Sequence, residues 1–279
     1  MNNRLLRVGI SPCPNDVLVF AGLISGVLDT GGLVLSFDFQ DVETLNQRAQ
    51  TGDAYDLVKI SYANYAHCAS AYDLLDCGGA LGRGVGPLLL SNGAPVFDPD
   101  APVLVPGEFT TANFLLDFYA GRPITKRFLP FATLYDELKR TPGARQGVVI
   151  HEKRFTFADD GLILLQDLGE HCERETGFAI PLGAIAARRD LDKERIEMLL
   201  RQSLGWAEAH RADALMLCRE HAQDLTESVM SSHIALYVND YTHDLGDDGR
   251  AAVAFFLDQQ QRFCESGVTL VRRGEYEGM

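Results

Sequence analysis

The chain has 279 residues, 46% hydrophobic and 23% charged; this is the make-up of a folded protein with a sizeable core and excludes the disordered and fibrous classes. Its 25 basic and 39 acidic residues leave a net charge of −14. That balance argues against a nucleic-acid partner, which needs clustered Lys and Arg, and against an anionic membrane surface. A small anionic ligand stays admissible, because a few local donors outweigh a distant net charge.

No run of about 18 apolar residues exists, so no membrane span is expected. The N-terminal stretch does not read as a secretion signal: its apolar part is short, is broken by Arg7 and is closely followed by Pro12. Cys13, Cys68, Cys77, Cys172, Cys218 and Cys264 are scattered, with no pair at CxxC spacing. They read as reduced thiols of a cytoplasmic protein, mostly buried, and not as a metal site.

Residues 5–10 read as a buried strand and 16–28 as a helix, with Val17, Phe20, Leu23, Ile24 and Val27 on its apolar side. Residues 33–39 alternate with period two, which predicts a half-buried strand. A helix over 42–53 ending near Gly52, a strand over 55–61, a helical turn or two over 63–72 and a strand over 84–91 follow. Residues 91–102 carry three prolines, a glycine and two aspartates and form the best linker candidate. A second series begins there: strands over 103–106, 125–130, 147–150 and 162–168, with helices over 110–121, closed by Gly121, and 134–141. A last strand lies within 178–190. The remainder is nearly all helix, notably 191–210, with Ile196, Leu199, Leu200, Leu204 and Ala207 on one stripe, and 246–267, ending at Gly267.

Strands alternating with helices predict an α/β fold. The two series predict two lobes, 1–97 with 181–279 and 98–180, and the cleft between lobes is the default ligand site.

Ser11-Pro12-Cys13-Pro14-Asn15-Asp16 directly follows a strand. Two prolines two apart make a rigid loop at a strand's C-terminal end, where α/β ligand sites form, and Ser11, Asn15 and Asp16 would offer polar groups there. The plainer reading is a capped turn with Asn15 or Asp16 as N-cap. Lys59, in an apolar strand flank, pairs with a ligand carboxylate or with Asp56, or simply snorkels. The glycine-rich 78–86 precedes a strand and matches neither dinucleotide nor P-loop spacing, so it reads as a tight turn; Arg83 within it is a ligand contact or merely exposed. Thr110 and Thr111 open a helix, an anion site or an ordinary cap. His151 ends the apolar run 147–150, which suits a general base near neutral pH as well as a structural histidine. His67, His171, His210, His221, His233 and His243 lie in or beside helical patterns. No HExxH and no GxSxG occurs.

Taken together and in order, several segments resemble the 1,4-dihydroxy-6-naphthoate synthase family of menaquinone biosynthesis by the futalosine route. They are Ser11–Asp16, Asp41–Asn46, Lys59–Ala63, Gly78–Pro87, Pro106-Gly107 with Thr110–Ala112, Ile150–Glu152 with Arg154–Thr156, and Pro181–Ile185. The resemblance implies a type 2 periplasmic-binding-protein-like fold used as an enzyme, with two lobes closing on substrate. The implied reaction turns cyclic dehypoxanthine futalosine into 1,4-dihydroxy-6-naphthoate with loss of a small sugar-derived fragment, without metal or other cofactor. It maps the catalytic base onto His151, and substrate binding onto Lys59, Ile60 and Ser61 and onto Thr110 and Thr111. Ser11, Asn15 and Arg83 are added from the residue reading. His171 and Cys172 stand where bulkier aromatic residues are expected. The expected partner is a carboxylate-bearing small molecule, with no nucleic acid and no membrane; the chain is a monomer or a homodimer. The rival readings are a solute-binding protein and a chorismate dehydratase of the same fold.

Overall fold

A computed structural model describes residues 4–140, 145–222 and 225–266, with side chains up to 263. The chain divides into two compact units: one runs up to Ala80 and from Gly183 to Arg250, the other from Leu81 to Leu182 and onward from Ala251.

The first unit opens with β1 (Arg4–Ile10), α1 (Pro14–Ile24), β2 (Leu33–Phe39), α2 (Val42–Gln50) and β3 (Leu57–Ser61). A 3-10 turn at Tyr62–Asn64, α3 (Tyr65–Cys68), β4 (Tyr72–Leu74) and β5 (Ala80–Gly82) follow. The second unit holds β6 (Leu88–Ser91), β7 (Val103–Val105), α4 (Thr111–Ala120), β8 (Lys126–Phe128), α5 (Phe131–Arg140) and β9 (Gln146–Val149). After a 3-10 turn at His151–Phe155 come β10 (Ile163–Asp167) and α6 (Leu168–Thr176). The chain returns along β11 (Ile180–Arg188) into α7 (Lys193–Ala209), α8 (Arg211–His221), α9 (Glu227–Tyr237), α10 (Asp240–His243) and α11 (Gly246–Ser266).

The first sheet has the order β2-β1-β3-β11-β4, with β5 on β11 off that path. β1 runs parallel to β2 and β3, and β11 runs antiparallel to β3 and β4. Leu6, Val8, Ile10, Leu57 and Ile185 from this sheet pack on Val19, Phe20 and Leu23 of α1 and on Ile196, Leu199 and Leu200 of α7. The opposite side of α1, Val17, Leu18 and Ala21, is covered by Leu204, Ala207, Ala214, Cys218, Met230 and Ile234 of the later helices. A helix apolar all round must be buried on all sides, and α1 is. The second sheet has the order β10-β6-β9-β7-β8, in which β7 is parallel to both β8 and β9 while β6 is antiparallel to β9 and β10. Its core joins Leu88, Leu90, Leu104 and Val149 to Leu134, Tyr135 and Leu138 of α5.

The chain leaves the first unit at residue 80, not at the proline-rich passage 91–102, which joins two strands of the second sheet. That passage is stapled to β9: the amide of Asp98 donates to Gln146 Oε1 at 2.8 Å, and Gln146 Nε2 donates to the Asp98 carbonyl at 2.6 Å. The C-terminal helices are likewise shared between the units, with the chain from Ala251 belonging to the second. Helix α1 is shorter than its apolar pattern because Gly26 turns left-handed with φ +69, and Val27 is left 55% exposed. Gly267, the expected end of the last helix, and the side chain of Cys264 lie outside the described residues. Cys68, Cys77, Cys172 and Cys218 are buried, and burial pushes each thiol up to about 12. No helix among the described residues is long and apolar enough to cross a membrane.

Candidate active site

In the first unit, β1 and β3 are parallel, so Ser11 and Ser61 stand at the same edge of the sheet, the edge at which α/β folds bind ligands. The loop after β1 enters α1 with Cys13 as N-cap, and the amides of Asp16 and Val17 both donate to its carbonyl at 3.0 Å. Pro14 takes the first helical position, where a missing N–H costs nothing. Neither Asn15 nor Asp16 is the cap. Asp16 faces inward instead, 3% exposed, and collects three donors: Ser11 Oγ at 2.6 Å, Asn15 Nδ2 at 2.8 Å and Lys59 Nζ at 2.6 Å.

Lys59 therefore neither snorkels nor reaches Asp56. Its side chain is buried, and Gly183 on the neighbouring strand makes room for it: a Cβ there would lie 2.8 Å from Lys59 Cε. Asp56 is taken by the amide of Arg7 at 2.7 Å and by Arg188 at 3.4 Å. One carboxylate and one ammonium cancel in a buried place, and the neutral donors fill the remaining lone pairs; this is the condition under which a buried ion pair is tolerable. Ile60 is fully buried in β3 opposite Ala184. Ser61 is fixed by Asn46, whose Nδ2 donates to its Oγ at 3.1 Å and whose Oδ1 accepts its amide at 2.8 Å. Tyr62, next in the chain, is buried, and desolvation with Asp76 nearby pushes its phenol well up.

In the second unit, β7 and β9 are parallel, so the segment leading to α4 and the turn at His151 leave the same edge of that sheet. Thr110 is the N-cap of α4: its Oγ1 accepts the Asn113 amide at 3.1 Å and donates to the Gly107 carbonyl at 2.9 Å. Thr111 Oγ1 donates to the Leu182 carbonyl at 2.8 Å. Both hydroxyl protons are thus spent on main-chain carbonyls. Arg83 is exposed and donates to the Gly177 carbonyl at the end of α6 at 2.9 Å, with Glu173 3.9 Å away.

His151 follows Ile150 at the end of β9 and opens the 3-10 turn. Its φ is +56, the one positive value on a non-glycine residue among those described. Its half-buried ring meets Phe131 edge-on at 5.2 Å. Three residues on, Arg154 donates to the Gly86 carbonyl at 2.6 Å and to Asp167 Oδ2 at 3.3 Å. Asp167 caps α6 through Oδ1, accepting the amides of Gly169 and Glu170 at 3.0 Å. Gly86 and Gly169 touch main chain to main chain, so that a Cβ on Gly86 would lie 2.3 Å from Gly169 Cα. The glycine-rich stretch is thus a tight approach of backbones. Within α6, His171 meets Phe118 and Tyr119 edge-on at 5.4 and 5.1 Å, and burial, then Arg174, lowers its pKa. Cys172 helps wall a small apolar pocket with Phe114, Phe118, Phe178, Phe255 and Phe256.

Sequence reasoning missed Asp16 as the shared acceptor, Asn46 as the support of Ser61, and the Arg154–Asp167 pair. Each lies in or beside a motif already singled out, but which partner a polar side chain takes depends on neighbours distant in the chain.

Two α/β units, each offering polar groups at the C-terminal ends of its parallel strands, define a chain of the periplasmic-binding-protein-like class. Solved structures agree: the alkanesulfonate-binding protein SsuA of Xanthomonas axonopodis superposes with TM-score 0.63 at 16% identity over 85% of each chain. A protein from Archaeoglobus fulgidus does so with TM-score 0.85 at 27% identity, over 94% of this chain and 97% of its own. The sequence profile of the menaquinone-biosynthesis family matches residues 6–262. The 1,4-dihydroxy-6-naphthoate synthase of Thermus thermophilus is 43% identical over 92% of this chain and 94% of its own, and that of Streptomyces coelicolor is 38% identical over 92% and 93%. The chain belongs to this menaquinone-biosynthesis family of 1,4-dihydroxy-6-naphthoate synthases.

Proposed function

We propose that this enzyme converts cyclic dehypoxanthine futalosine into 1,4-dihydroxy-6-naphthoate, with His151 as the general base. The observation that carries the reading is the placement of His151: a half-buried imidazole at the C-terminal end of a sheet strand, on a left-handed backbone that an ordinary structural histidine has no need of. A neutral imidazole takes a proton from carbon next to the substrate carbonyl. The electron pair left behind moves onto the carbonyl oxygen as an enolate; its return expels the sugar-derived fragment, which leaves with the bonding pair and takes up the proton held on His151, and aromatisation of the new ring drives the step.

Of the two serines at that edge of the first unit, Ser61 is the better hydrogen-bond donor to a ligand. The Ser11 proton is committed to Asp16, whereas Asn46 fills an acceptor site of Ser61 Oγ and leaves its proton to offer. The start of α4 supplies main-chain donors and the positive end of a helix for the substrate carboxylate. Lys59, held by Asp16, sets the shape of the loop after β1. The reading places the enzyme in the cytoplasm with a small-molecule substrate and no cofactor.

Purified protein mixed with the futalosine derivative, followed by mass, tests this. Wild type should form the naphthoate, and His151→Ala should lower turnover by about 10²–10⁴-fold while still binding substrate. Binding without product from the wild type would make the chain a binder; turnover of chorismate would make it a dehydratase.

A further inference from the structure

A histidine at φ +56 keeps that conformation only if its surroundings over-determine it. The ring contact with Phe131 restrains the side chain but not the main chain. The main chain is gripped at the far end of the same turn. The guanidinium of Arg154, its side chain 13% exposed, spans two segments distant in sequence: the Gly86 carbonyl before β6 and the Asp167 carboxylate at the start of α6. Those two segments are locked to each other, since Gly86 and Gly169 touch through their main chains and Asp167 caps the helix whose first turn holds Gly169. Lys153, between the two residues, lies over the Tyr135 ring at 5.4 Å, and Tyr135 is itself tied to Asp160 at 2.7 Å. The turn is therefore fastened to a part of the second unit that has no room to shift.

We propose that Arg154 is a positioning residue: through Gly86 and Asp167 it holds His151 in the left-handed conformation that aims its imidazole. This rests on the reading of His151 as the base. A guanidinium suits the task because its fixed fork serves a carbonyl and a carboxylate at once, which an ammonium does not.

Three variants, Arg154→Met, Arg154→Lys and His151→Ala, are compared with wild type by turnover of the futalosine derivative and by NMR of protein with carbon-labelled histidine. The His151 ring signal is assigned by its loss in His151→Ala. Arg154→Met should lower kcat about 100-fold, leave KM within about threefold and move the His151 signal; Arg154→Lys should fall between. Where His151→Ala is impaired, unchanged kcat in Arg154→Met overturns the proposal, and so does a lowered kcat with the ring signal in place. Should Arg154→Met fail to fold, Asp167→Asn carries the same test, because it keeps the oxygen that caps α6 and removes the charge facing Arg154. If His151→Ala turns over like wild type, the general-base reading falls, while the position of the ring signal in Arg154→Met still decides whether Arg154 holds the turn.

Discussion

Around Asp16, three side chains converge on one buried carboxylate, and no residue of the loop has a positive φ; around His151 the side chain is only partly buried and the backbone itself is unusual. The first cluster concentrates opposite charges where they satisfy each other, and its energy goes into rigidity. The second keeps an uncommitted backbone conformation in place by bracing it from outside. A pair of charges can be removed together with little loss, whereas a strained turn fails as soon as one brace is cut.

Three experiments test that contrast, in falling order of effect. Lys59→Met leaves Asp16 as an uncompensated buried charge and should cost about 3–5 kcal/mol in urea unfolding. Adding Asp16→Leu should return most of that loss; a double variant no more stable than the single one would mean that the pair is held for some reason other than mutual neutralisation. Gly86→Ala drives a methyl into the Gly169 main chain, where no flexible side chain can yield, and should cost about 1–3 kcal/mol while lowering turnover through the His151 turn. Loss of stability with full turnover would separate the glycine contact from the turn. The smallest effect has the opposite sign: His151→Gly should unfold at higher urea than His151→Ala, by about 1 kcal/mol, because glycine accepts the left-handed backbone without penalty. Equal midpoints would show the turn to be relaxed.

Much of the fold was legible in the sequence because its signals are periodic and local. β2 falls where the alternation of 33–39 places it, and α4 closes at the left-handed Gly121. β4 escaped because Asp73 breaks its short apolar run, β5 because it lies in the glycine-rich stretch that reads as a turn, and α6 because its buried positions, Leu168, Gly169, Cys172 and Thr176, make a poor apolar stripe. The unit boundary was misplaced for a related reason: prolines mark turns, and a turn within a sheet looks the same in sequence as a turn between units. The candidate residues sat in recognisable motifs, but their partners did not. Nothing local says that Lys59 reaches back 43 positions to Asp16, or that Arg154 ties His151's turn to Gly86.

The four buried thiols have a practical consequence. Burial pushes all four up, so that little thiolate is present at neutral pH, and it is the thiolate that oxidants attack. Cys68, Cys77, Cys172 and Cys218 therefore offer an oxidant little to react with, and the protein should keep them reduced through aerobic purification without added thiol.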